Sequence, residues 1–480
     1  MTESQSPRIV VMGAGMSGML MGIKLLHAGF RNFRIYEKAA KVGGTWRENT
    51  YPNVACDVPG RGYSYSFELN PEWNWRFGRG DEIQRYFEGV ERKYGLDDFI
   101  SFNTAVTAAR WDGERWQIRL SDGRTDAAEV LVSAVGGLHV PRMPDIEGLD
   151  TFGGAAFHSA RWNHAVDIRD KRVGVVGTGS TACQIVPGIV DKVRELDLFQ
   201  RTPQWMLPLA DRKYSERSKR LQRRYPVIAK LNHDAWLGIA NTVAAALLGN
   251  RFVMGRIEAA CRRNLATVRD PELRRKLTPD YPVACKRLVV SEDFYPAIQR
   301  PNARLVTDGI ERVVPEGIRT KTGETLPLDV LVLATGFHPY KPTADVVGVD
   351  GRTLDETWGG SPLVHRTVGV PGFPNYFVIF GPYSPLGNMS IIANSEVQVG
   401  YVMQCIELIA QGRVRSLNPR RDVAERQKQE IRQALKKTVW QGGCQSWYLD
   451  ANGEAVSWPF PMKRFREDLR VPVLAEYETT

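Results

Sequence analysis

Ile9-Val10-Val11-Met12-Gly13-Ala14-Gly15-Met16-Ser17-Gly18 is the stretch from which the fold follows. Four apolar residues without alternation read as a strand buried on both faces. Three glycines in the spacing G-x-G-x-x-G come directly after it, and Met19 to Leu26 continue as an apolar helix. Strand, glycine turn and helix in that order make the first unit of a dinucleotide-binding fold. Gly13 serves the tight turn, Gly15 lets a pyrophosphate approach the backbone, and Gly18 lets helix pack on strand. The helix N-terminus then faces the phosphates. Phe33-Arg34-Ile35-Tyr36 reads as the second strand and ends in Glu37, 19 residues beyond Gly18. A carboxylate there accepts hydrogen bonds from ribose hydroxyls and repels a 2′-phosphate, so this site suits FAD or NAD rather than NADP.

The pattern returns 164 residues later as Gly177-Thr178-Gly179-Ser180-Thr181-Ala182, after the strand Val173-Gly174-Val175-Val176. Its second strand, Leu196-Asp197-Leu198-Phe199, runs into Gln200-Arg201-Thr202, and Arg201 stands 19 residues past Ala182. A guanidinium replaces the acid at the same offset, and a forked, permanent cation suits a phosphate. The two sites therefore sort themselves: FAD at Glu37, NADPH at Arg201, with Ser180, Thr181 and Thr202 completing the second set of contacts. Val130 to Gly137 and Val330 to Phe337 are apolar runs into glycine, each the shape of a final strand returning to its cofactor. Pro141, Pro144 and Gly148 mark a linker. The expected architecture is α/β: two Rossmann-like dinucleotide-binding domains, the second inserted in the first, with a helical subdomain. Residues 1–145 begin the FAD domain, 146–330 form the NADP domain with a helical insertion at about 205–285, and 331–480 complete the FAD domain and carry a C-terminal mobile loop.

A hydrophobic fraction of 43% and a charged fraction of 25% are those of an ordinary globular chain. A net charge of +10 favours anionic partners. No nucleic-acid-binding module is present, which leaves phosphate-bearing cofactors or a membrane surface. Six cysteines are scattered without a C-x-x-C pair. They suggest neither a metal site nor a redox pair, and with no secretion signal at Met1 to Ile9 they read as free cytoplasmic thiols. Lys213, Arg217, Lys219, Arg220, Arg223, Arg224 and Lys230 precede an apolar stretch from Ala235 to Leu248 that is too short to span a bilayer. This segment reads either as a basic helix followed by a buried one, or as an interfacial helix making peripheral membrane contact.

Between the fingerprints lie Phe152, Gly154, His158 and Trp162, and near the first lie Gly43-Gly44-Thr45-Trp46, Tyr51-Pro52 and Asp57. In these patterns, over nearly its whole length, the chain resembles the type I Baeyer–Villiger monooxygenases, within the class B flavin-dependent monooxygenases. Trp162 is the informative end of F-x-G-x-x-x-H-x-x-x-W, since N- and S-oxygenating relatives carry Tyr or Phe there. Asn163 and Asn53 depart from the residues usual after Trp162 and Pro52. Ser446-Trp447-Tyr448 resembles the mobile loop that folds over the nicotinamide cofactor.

The resemblance implies an NADPH- and O₂-dependent oxidation of a ketone to an ester or lactone through a C4a-peroxyflavin. N- or S-oxygenation is the alternative within the same superfamily. It implies a role for Arg287 as the fixed cation that stabilises the peroxide and its adduct, matching the Lys-Arg pair of the family at Lys286-Arg287. Lys286 would turn to the 2′-phosphate beside Arg201, and Asp57 would pair with Arg287 and hold it. Thr45, Trp46 and Asp57 would line the flavin pocket, Met389 would contact the flavin ring through its backbone, and Trp447 would cover NADPH. His158 reads as a coupling residue between domains rather than a base. The basic-then-apolar segment hints at a lipophilic ketone. No metal ligand set is expected.

Overall fold

The computed structural model describes residues 6–386, 390–441 and 443–480. Two parallel sheets of five strands dominate it. The first has the order Tyr376–Val378, Val130–Ser133, Ile9–Met12, Phe33–Tyr36, Ile100–Ser101. The second has the order Ala155–His158, Val330–Leu333, Arg172–Val176, Glu195–Phe199, Ala303–Val306. The central strands of the first sheet are buried at every position, as their unbroken apolar runs require.

In both sheets the chain leaves the fingerprint strand in one direction and later returns on its other side. That reversal opens a crevice at the carboxyl ends of the strands, where such folds bind ligands. The run Val330–Leu333 pairs with Val173–Val176 on one side and Ala155–His158 on the other. An expected boundary at 330/331 therefore cuts a strand of the second sheet. The chain returns to the first sheet only later, at Tyr376–Val378, because parallel pairing and not apolar content decides which sheet a buried strand joins.

Helix α1, Met16–His27, follows the first glycine turn, and α2, Ser180–Ile189, follows the second. The segment after residue 205 is helical: α3 spans Glu216–Arg224, α4 Pro226–Leu247 and α5 Arg251–Leu265. Ser215 caps α3 and Asn250 caps α5 through side-chain oxygens, and Pro226 occupies the first turn of α4, where its missing N–H costs nothing. A mixed sheet pairs Val106–Trp111, Trp116–Leu120 and Thr125–Ala128 antiparallel and adds Asp345–Val347 parallel to the first of them, and an antiparallel sheet joins Ile310–Val314, Gly317–Thr320 and Thr325–Pro327.

Cysteines depart from expectation. Cys285 and Cys444, 159 residues apart, form a disulfide with Cα atoms 6.2 Å apart, while Cys56, Cys183, Cys261 and Cys405 are free and buried. Spacing could not reveal a pair whose partners meet only through tertiary packing.

Candidate active site

The first cleft is shaped by backbone proximity. Gly13 has φ +93°, open to glycine and strained for other residues. A Cβ on Gly18 would stand 1.9 Å from the Gly13 carbonyl oxygen, so only glycine lets α1 seat there. Gly15 caps α1, and a Cβ on Gly44 would come within 3.1 Å of its Cα, which brings the Gly43-Gly44 turn against the fingerprint loop. The result is a side-chain-free cradle at a helix N-terminus, which fits a pyrophosphate.

Glu37 is buried at the end of its strand. Its Oε2 accepts from the Ala14 N–H at 2.8 Å, and its Oε1 accepts from the Ala39 N–H and from Arg47, each at 3.0 Å. The carboxylate is thus fixed beside the glycine turn with lone pairs remaining for hydroxyl donors. Thr45 starts a short helix, Thr45–Glu48, and Trp46 donates from Nε1 to the Tyr63 hydroxyl at 3.0 Å. Met389 lies outside the described residues.

The second cleft repeats the plan. Gly177 has φ +112°, and a Cβ there would stand 2.5 Å from the Ala334 carbonyl oxygen on the returning strand. Gly179 caps α2, and Ser180 and Thr181 open it. Thr178 donates from its hydroxyl to the Thr202 carbonyl at 2.6 Å, pinning the turn to the segment that carries Arg201. Arg201 is exposed at the strand end. Burial lowers the pKa of Lys286, and the Arg201 charge lowers it further, so the two cations lie close enough to repel. Lys286 also sits 4.5 Å above the Tyr281 ring. Two like charges held this close suit an anion.

Between the clefts, Arg287 donates to Asp57 Oδ2 from Nη2 at 2.6 Å and from Nε at 3.1 Å. Asp57 comes from the strand Ala55–Pro59, and Arg287 from the segment that follows the helical insertion. Burial pulls the Arg287 pKa down, but Asp57 and the Tyr448 phenol more than offset this and hold it above the ordinary value. The guanidinium therefore keeps its charge. Tyr448 is 2% exposed, and its ring lies 4.3 Å from that of Trp447.

The halves are stitched by polar contacts. Tyr51 donates to Gln184 Oε1 at 3.0 Å, and Gln184 Nε2 donates to the Ala55 carbonyl at 2.9 Å, tying α2 to the strand that bears Asp57. Asn53 has φ +66°, a conformation that Asn and Gly adopt readily, which accounts for asparagine after Pro52. His158 sits at the end of its strand, with Nε2 3.0 Å from the Gly336 carbonyl oxygen and Nδ1 accepting from the Ala160 N–H. Burial lowers its pKa, so it is a neutral ring with both nitrogens engaged and couples two chain segments.

Comparison with known proteins agrees with this geometry. The Pyridine nucleotide-disulphide oxidoreductase family matches residues 10–230. A Baeyer–Villiger monooxygenase of Streptomyces coelicolor is 41% identical over 98% of this chain and 92% of its own length. The chain belongs to the type I Baeyer–Villiger monooxygenases. Among solved structures, OTEMO in complex with FAD and NADP superposes with a TM-score of 0.88 at 27% identity, covering 99% of this chain and 100% of that one. Oxidized steroid monooxygenase bound to NADP gives a TM-score of 0.85 at 29% identity, over 97% of each chain.

Against the Baeyer–Villiger pattern, several residues of this site were not singled out by sequence reasoning. Arg47, the partner of Glu37, follows Trp46 directly, and that adjacency was its signal. Tyr448 was visible beside Trp447, but its contact with Arg287 was not. Gln184 and Tyr63 carry no local signature.

Proposed function

We propose that this Baeyer–Villiger monooxygenase oxidises a lipophilic ketone, with FAD in the Glu37 cleft, NADPH in the Arg201 cleft and Arg287 as the cation at the reacting atoms. The Arg287–Asp57 pair is the observation that carries the assignment. It joins a residue of the first half to one of the second, which supports a reacting centre between the two clefts.

Bound FAD, reduced by NADPH, supplies the oxygen-transferring chemistry. One oxygen of O₂ enters between the carbonyl carbon and its neighbour, and the other leaves as water. The protein meets the developing negative charge. Arg287 presents donors that keep their proton at working pH, and a preorganised donor of this kind is worth about 10²–10³ in rate. Asp57 fixes the fork and neutralises a cation that would be costly to leave alone in the site. Tyr448 is buried beside Arg287 with the Trp447 ring packed against it, and the pair would shield that side from water. At the second cleft, Arg201 and Lys286 bind the 2′-phosphate, with Ser180 and Thr181 at the N-terminus of α2.

The test is Arg287→Ala, assayed separately for flavin reduction and for product by mass spectrometry with a panel of ketones and thioethers. Flavin reduction by NADPH should persist while ester or lactone formation falls by about 10²–10³. Ester formation near the wild-type rate would remove Arg287 from the mechanism. Sulfoxide as the sole wild-type product would replace ketone oxidation with S-oxygenation.

A further inference from the structure

Of the eleven large apolar residues exposed among the described residues, six fall between 221 and 252: Leu221, Tyr225, Val227, Leu231, Ile239 and Phe252. Val227, Leu231, Ala235, Ile239 and Thr242 follow one another at three- and four-residue steps and form a single stripe along α4. The opposite face is the packed one. Ala229 and His233 are buried, and a Cβ on Gly62 would meet the Trp236 Cβ at 3.0 Å. Helix α4 thus lies flat on the flavin half and turns an apolar stripe outward. At its end Gly249, with φ +104°, turns the chain by 99° into α5, and Phe252 stands at that corner with 75% of its surface exposed.

Charge surrounds the stripe. From 213 to 256 there are nine lysines and arginines and two acids, Glu216 and Asp234. Both acids are neutralised locally, Glu216 by Lys219 at 2.8 Å and Asp234 by Lys230 at 2.9 Å. Among the described residues, Arg217, Arg220, Arg224, Arg251 and Arg256 carry no ion pair. No single described helix is long and apolar enough to cross a membrane. An apolar stripe on a flat helix, flanked by unpaired arginines, is complementary to a surface that is greasy inside and anionic outside.

We propose that the outer face of α3, α4 and the start of α5 docks on an anionic phospholipid bilayer, with Leu231, Ile239 and Phe252 entering the interface and Arg217, Arg220 and Arg224 meeting the phosphates. This inference rests on the surface alone and stands or falls independently of the ketone chemistry.

The flavin-loaded enzyme is sedimented with vesicles of phosphatidylcholine alone and of phosphatidylcholine mixed equally with phosphatidylglycerol. The wild type should pellet with the mixed vesicles and be released by added salt. Replacing Arg217, Arg220 and Arg224 by glutamine should weaken that partition about a hundredfold. Leu231→Ser with Phe252→Ser should weaken it about tenfold or more on the same vesicles. Both variants should keep wild-type flavin content and NADPH oxidation, which identifies them as folded. Wild-type protein remaining in the supernatant with both vesicle types would overturn the proposal, as would variants that pellet like wild type. Sedimentation velocity showing a vesicle-independent dimer that the same substitutions dissolve would make the face a contact with a second copy and also overturn it.

Discussion

At the first cleft the strand Phe33–Tyr36 hands over to a buried carboxylate held by two backbone N–H groups and Arg47. At the second, Glu195–Phe199 hands over to Gln200 and then to an exposed guanidinium with a lysine close by. The backbone demands are the same in both. Each needs a positive-φ glycine against the returning strand, with Ala134 behind Gly13 and Ala334 behind Gly177, and each needs a glycine cap on the following helix. In the proposed assignment, ligand choice rests on one side chain whose environment suits its charge. The acid is shielded and preorganised for hydroxyls, and the arginine stays open for a phosphate.

The largest effect expected from breaking this contrast comes from Glu37→Ala. It removes one of the two carboxylates paired with Arg47, which keeps Glu48, and leaves two N–H groups unsatisfied, a loss of about 1–3 kcal/mol for each N–H group. The purified protein should lose flavin and melt earlier, read from the flavin-to-protein absorbance ratio and a thermal scan. Full flavin occupancy would show that the acid does not select the first cofactor.

Next comes the Cys285–Cys444 disulfide, which ties the segment bearing Lys286 and Arg287 to the loop bearing Trp447 and Tyr448. Its reduction should lower stability by about 2–4 kcal/mol, seen as a drop in Tm with dithiothreitol that Cys444→Ser abolishes. Alkylation of the denatured, unreduced protein should label four of the six cysteines, and six labels would refute the bond.

The smallest effect concerns pH. Lys286 would bind phosphate as the ammonium, and burial with the Arg201 charge lowers its pKa below 10.5. Its contribution is therefore present at neutral pH and fades as pH rises through that lowered value. KM for NADPH should climb by about tenfold toward the alkaline limit. Lys286→Arg should flatten the climb, and an unchanged profile in that variant would assign it to another group.

Much of this was legible in the chain because it is local. A strand, three glycines, a helix and a residue at a fixed offset are all written within about thirty residues of each other. Glu37 and Arg201 were named on that basis and the Lys286-Arg287 pair from the family resemblance, and the structure sets Asp57 against Arg287 and Lys286 near Arg201. What was not legible depends on pairing across the fold. Val330–Leu333 has the same composition as Val130–Ser133, yet it belongs to the second sheet because of its neighbours. Cys285 finds Cys444 only after the helical insertion folds back. The openness of α4 was one of two readings, the other being that Ala235 to Leu248 faces a core. Trp236 and Gly62 decide which side is buried, and neither marks itself in sequence.

The most direct test of the central claim is the nucleotide preference of Arg201→Ala, measured as flavin reduction against NADPH and NADH concentration by stopped flow. KM for NADPH should rise about ten- to hundredfold while that for NADH stays within about twofold, because only the 2′-phosphate loses a charged partner. Equal losses for both nucleotides would place the phosphate elsewhere and contradict the assignment of the two clefts by the charge at the strand end.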